Sequence, residues 1–114
     1  MNDYNNLSHI KFFGIGIPEQ GQLATVEYQE EIKRLIRSVK PVEEVELGDE
    51  ITLDGNKIIL YLIDGNKTEI TGLGRSKVQI AQIINGVSYK AIVIQPELRA
   101  LLDNLAKLKA YYSC

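Results

Sequence analysis

Through the middle of the chain, turn signals recur at Gly48-Asp49, Asp54-Gly55-Asn56, Asp64-Gly65-Asn66 and Asn85-Gly86, with short runs of Val, Ile, Leu and Tyr between them. Runs of this length, bounded by residues that tolerate positive φ, read as antiparallel strands joined by tight hairpins. Asn85-Gly86 is the strongest of the four, because both residues readily take the backbone that a two-residue type I′ turn requires. Counting outward from it pairs Ile84 with Val87, Gln82 with Tyr89, Ile80 with Ala91 and Val78 with Val93, all on one predominantly apolar face. The opposite face carries Lys77, Gln79, Ala81, Ser88 and Lys90, with Ile83, Ile92 and Ile94 as exceptions. A helix over Ser76 to Asn85 competes, since Ile80, Ile83, Ile84 and Val87 also fit that period; the β-branched content and the Asn-Gly pair favour the hairpin.

Lys57 to Ile63 places Ile58, Leu60 and Leu62 on one face and Ile59, Tyr61 and Ile63 on the other, which predicts a central strand covered on both sides. His9 to Ile17 is β-branched and aromatic and stops at Pro18, a first buried strand. After Thr25, residues Ile32, Leu35, Ile36 and Val39 recur at helical spacing. The acids Glu27, Glu30 and Glu31 lie early in that helix and Lys33, Arg34, Arg37 and Lys40 late, matching the helix dipole, and Pro41 closes it. Gln95-Pro96 opens a second amphipathic helix with the stripe Leu98, Leu101, Leu105, Leu108 and Tyr112, widened by Leu102. The expected architecture is α+β: an N-terminal strand and helix, a five- or six-stranded antiparallel meander, then a C-terminal helix. Residues 1–8 read as a short flexible N-terminus and 9–114 as one domain, a size that a single core suits.

Thirteen basic and fifteen acidic residues leave a net charge of −2, which supplies no broad positive field. General nucleic-acid binding is therefore disfavoured, although a local basic patch is compatible with the total. No basic segment followed by an apolar run opens the chain and no stretch approaches a membrane span, so the expected compartment is the cytoplasm. The single cysteine, Cys114, cannot form an internal disulfide, in keeping with a reducing environment.

Gly72-Leu73-Gly74-Arg75-Ser76-Lys77 is the sharpest local candidate for a ligand contact. Glycines let backbone amides approach an anion, and Arg75, Ser76 and Lys77 add donors. The stretch lacks the full phosphate-loop spacing, so a strand connection with solvated charges is the simpler reading. Gly14-Ile15-Gly16 has no basic neighbour and reads as a bulge or close packing. Glu43, Glu44, Glu46, Asp49 and Glu50 lack the alternating ligands of a calcium loop and read as a charged edge, with a basic partner as the other use. His9 has no companion at metal-ligand spacing, and no metal, cofactor or catalytic residue is expected. Leu101, Leu105, Leu108 and Tyr112 are the candidate oligomer interface, because their alternating spacing forms a narrow stripe.

These residues favour a small, non-catalytic binding protein that acts stoichiometrically on a macromolecular partner, as a homo-oligomer, since two helices leave part of such a sheet uncovered. The alternative is a binder of a phosphorylated small molecule or nucleotide through Gly72 to Lys77. An enzyme would need a pocket of convergent ionisable groups, such as Tyr61 or Tyr89, brought together by folding.

Overall fold

The computed structural model describes residues 6–41, 55–73 and 76–105. In chain order these form β1 (Leu7–Phe13), β2 (Gln22–Leu23), α1 (Val26–Arg37), β3 (Lys40–Pro41), β4 (Lys57–Leu62), β5 (Lys67–Gly72), β6 (Lys77–Ile84), β7 (Val87–Ile94) and α2 (Pro96–Asp103). All strand pairs are antiparallel, in one sheet of order β2-β1-β4-β5-β6-β7-β3. The class is α+β, as the hairpin spacing predicts.

Asn85 and Gly86 take φ of 52° and 83°, and β6 pairs with β7 in the register counted outward from them, Ile84 opposite Val87 through Val78 opposite Val93. The helical alternative for Ser76 to Asn85 is thereby set aside. Thr25 caps α1, its side chain accepting from the Tyr28 amide, and Pro96 stands in the first turn of α2 behind the cap residue Gln95.

Three boundaries differ from expectation. The first strand ends at Phe13 rather than Ile17, because Gly14 and Gly16 adopt φ of 150° and 81° and turn the chain. Helix α1 ends at Arg37, where Ser38 caps it, and Pro41 belongs to the two-residue edge strand β3. The third concerns β4, whose faces are not covered alike. Ile58 and Leu60 lie fully buried under the helices, whereas on the other side Ile59 is buried, Tyr61 half-buried and Ile63, just past the strand, 73% exposed.

The core explains that asymmetry. Ile10 and Phe12 of β1, Ile58 and Leu60 of β4, Ile70 of β5, Val78 and Ile80 of β6 and Val93 of β7 share one face of the sheet by register. They form one cluster with Ile32, Leu35 and Ile36 of α1 and Leu98, Leu102 and Leu105 beyond them, so both helices lie on the same side. Each such side chain, fully buried, contributes roughly 1.5–3 kcal/mol. Gln95 ties the two helices together: its amide nitrogen donates to the Leu35 carbonyl at 3.0 Å and the Ser38 hydroxyl at 2.6 Å, while its side-chain oxygen caps α2 at the Glu97 amide.

Candidate functional site: the open face of the sheet

Alternation puts every second residue of these strands on the face away from the helices. Cross-strand pairing arranges it in rows: His9, Tyr61, Lys67, Ile83 and Ser88; then Lys11, Ile59, Glu69, Ala81 and Lys90; then Phe13, Lys57, Thr71, Gln79 and Ile92; and finally Lys77 and Lys40 flanking Ile94. Six of the nine lysines of the chain therefore share one surface, on which Glu69 is the one carboxylate among the described residues. Among the described residues that is a formal +5 on this face, against −2 for the chain as a whole. The summed charge conceals this partition.

The face is amphipathic. Ile59 and Ala81 are only 4% and 7% exposed although no described helix crosses them. Their cross-strand neighbours on this face are long side chains, Lys11 and Glu69 beside Ile59, Glu69 and Lys90 beside Ala81. Lys57 pairs with Glu69 at 3.5 Å and its ammonium stands 5.8 Å from the centre of the Phe13 ring. The loop after β1 touches only the rim, where Gly21 lies against Phe13 and the Gln20 carbonyl accepts from Lys11 at 3.4 Å.

His9 and Tyr61 stack with ring centres 4.6 Å apart and planes 16° from parallel. Partial burial, then the charge of Lys11, holds His9 below its ordinary pKa of 6.5. Partial burial and then Glu69 push Tyr61 above 10.0. At neutral pH the pair is therefore two uncharged rings among ammonium groups.

Apart from Lys77, the site residues singled out from sequence lie elsewhere in the fold or, in part, outside the described residues. Gly72 ends β5 and Lys77 begins β6, with the Leu73 amide donating to the Lys77 carbonyl at 3.0 Å; Gly74 and Arg75 lie outside the described residues. A Cβ on Gly72 would come within 3.0 Å of the Arg99 guanidinium, whose Nε donates to the Leu73 carbonyl at 2.8 Å. The backbone at the start of this loop is thus met by a cation of the protein itself, and the Ser76 carbonyl accepts from the Gln95 amide. Of the candidate oligomer stripe, Leu105 is buried in the core and Leu101 is half-buried, while Leu108 and Tyr112 fall outside the described residues, as do Glu43 to Glu50 and Cys114.

Between the helices runs a shallow groove of about 370 Å³ lined by Glu31, Leu35, Glu97, Ala100, Leu101 and Asn104. Its carboxylates are already engaged: Arg34 binds Glu31 and reaches Glu97 at 3.3 Å, and the Arg34 hydrogen bond holds the Glu31 carboxyl below its usual range. Among the described residues no group of three or more His, Cys, Asp or Glu could hold a metal ion, and no helix is long and apolar enough to cross a membrane.

Comparison with known protein families, with characterised proteins and with solved structures gave no significant match.

The lysine face was missed from sequence although its signal was there. Lys11 sits between Ile10 and Phe12, Lys77 precedes Val78, and Lys67 precedes Thr68, each at the parity opposite a buried neighbour. Only the register, which is non-local, shows that these separate alternations fall on one surface.

Proposed function

We propose that the protein is a non-catalytic binding protein that acts stoichiometrically, taking a macromolecular partner onto the open face of its sheet. One observation supports this most directly: like charges are gathered on a single face. Close lysines repel one another and cost stability, whereas a partner of opposite charge turns the same repulsion into affinity and a faster encounter. Self-association belongs to the same reading but to a different place. β3 pairs only with Val93 and Ile94, and β7 is exposed from Val87 to Ala91, with Val87 53% and Tyr89 57% exposed. A second copy adding there antiparallel, about a two-fold axis normal to the sheet, would place both lysine faces on the same side.

The test uses the protein from its own host lysate. Replacing Lys11, Lys67 and Lys90 with glutamine is expected to lose the partner that the parent retains, while replacing Lys33 and Arg37 on α1 leaves it bound. Retention by the face variant would overturn the proposal. Val87→Lys with Ala91→Lys is expected to halve the native mass if copies join at β7, and an unchanged mass removes that assignment.

A further inference from the structure

Resting on that reading of the open face, we infer that its partner is single-stranded nucleic acid, held by the phosphate backbone without sequence preference. Three features of the face carry this. The first is charge of the right kind. Lys11, Lys40, Lys57, Lys67, Lys77 and Lys90 spread over five long strands and one short edge strand, so the positive surface is an area rather than a point. Neighbouring strands stand about 5 Å apart and same-face residues along a strand about 7 Å apart, so the ammonium groups, on flexible stems, can follow an irregular chain of phosphates.

The second is the absence of arginine among the described residues of this face; Arg34 and Arg37 lie on α1 and Arg99 on α2. Planar, two-pronged recognition of guanine or of a carboxylate is arginine chemistry, whereas lysine meets a phosphate as a point charge. The cores of protein–protein interfaces are enriched in arginine and depleted of lysine, so this composition favours a polyanion over an acidic protein surface.

The third is apolar and aromatic surface between the charges. The stacked His9 and Tyr61 rings, Phe13, and Ile83, Ile92 and Ile94 offer places where the faces of unpaired bases can lie. A duplex hides those base faces, and its grooves admit a helix or a two-stranded ribbon rather than a sheet five strands wide. The base contacts therefore favour single strands over duplexes.

The test is fluorescence anisotropy with the full chain and a labelled twenty-nucleotide oligothymidine, a mixed-sequence RNA of the same length, and the corresponding duplex. Single strands are expected to bind at 50 mM salt with little preference among sequences, and the duplex far more weakly. With four phosphates neutralised, raising salt to 200 mM should weaken binding about fifty-fold. Lys11→Gln, Lys67→Gln and Lys90→Gln together should abolish binding with the thermal midpoint preserved. Tyr61→Leu should weaken the oligonucleotide several-fold while leaving heparin, which has no bases, unchanged. Absence of single-strand binding at 50 mM salt, binding indifferent to the three lysines, or equal affinity for the duplex would overturn the inference. If oligonucleotides fail to bind while the lysine substitutions still release a protein partner from lysate, the nucleic-acid assignment falls and the open-face reading stands. If the lysines matter to neither, both fall.

Discussion

The same five long strands build both faces of the sheet, residue by alternate residue, yet the two faces answer to different pressures. On the helix side every cross-strand neighbour of Ile70 is an isoleucine, and the burial is complete. On the open side Ile59 and Ala81 are nearly as hidden, but their cross-strand neighbours include Lys11, Glu69 and Lys90. Equal exposure can therefore go with unequal surroundings: one set packs in the cluster with the helices, the other stands among cross-strand lysine and glutamate side chains.

Truncation separates the two kinds of burial. Leu60→Ala, which leaves a cavity between sheet and helices, is expected to cost about 2–5 kcal/mol in urea unfolding. Ile59→Ala, one residue away on the open face, should cost about 1 kcal/mol, because the surrounding stems can collapse into the space. Equal costs would mean that the open face is as tightly packed as the core and would remove the distinction.

Next in size is the tie between the helices. Gln95→Ala removes two donated bonds and the α2 cap from a site only 6% exposed, and should cost about 1–3 kcal/mol. The helix layer loosens while the register of β6 and β7 holds. Oligonucleotide affinity at low temperature should consequently be unchanged, and a parallel loss of affinity would show that the helix layer shapes the open face.

How far the strands themselves announce this contrast depends on range. The β6–β7 register was legible because Asn85-Gly86 is a two-residue turn and every later pair follows by counting. Thr25 and Pro96 were legible for the same reason, since capping is local. The pairing of β1 with β4, some fifty residues apart, has no local signature, and neither does the placing of both helices on one side. The candidate site depended on those non-local facts. Gly72 to Lys77 drew attention because its donors are adjacent in sequence, while Lys11, Lys57 and Lys90 come to share one face only through folding. Gly72 itself answers to Arg99, twenty-seven positions later, which no local motif could signal.

A smaller effect tests whether the lysines serve the fold at all. Lys67 sits beside Tyr61 and Ile83 on the open face, and Lys67→Gln removes one like charge from it. Its stability should stay within about 0.5 kcal/mol of the parent, on the favourable side at low salt. A loss above 1 kcal/mol would make this lysine a structural residue.

The smallest effect is a pH dependence whose two readouts move in opposite directions. His9 is paired with Tyr61, accompanied by Lys11 on its own strand and Lys67 beyond the tyrosine, and its Nδ1 lies 3.0 Å from the Ser8 hydroxyl. Its folded pKa is lowered, so as pH falls the unfolded chain takes up this proton first, and stability declines through about pH 6.5 and levels off below the folded value. Because the ring is partly solvated, the decline should remain within roughly 0.5 kcal/mol between pH 8 and pH 5, measured against His9→Gln so that carboxylate titrations cancel. Over the same interval protonation adds a positive charge to the open face, and single-strand affinity should rise in the parent but not in the variant. Acid would thus weaken the fold slightly while strengthening the surface. Parent and variant losing stability and gaining affinity in parallel would place the titrating group elsewhere and separate His9 from the face.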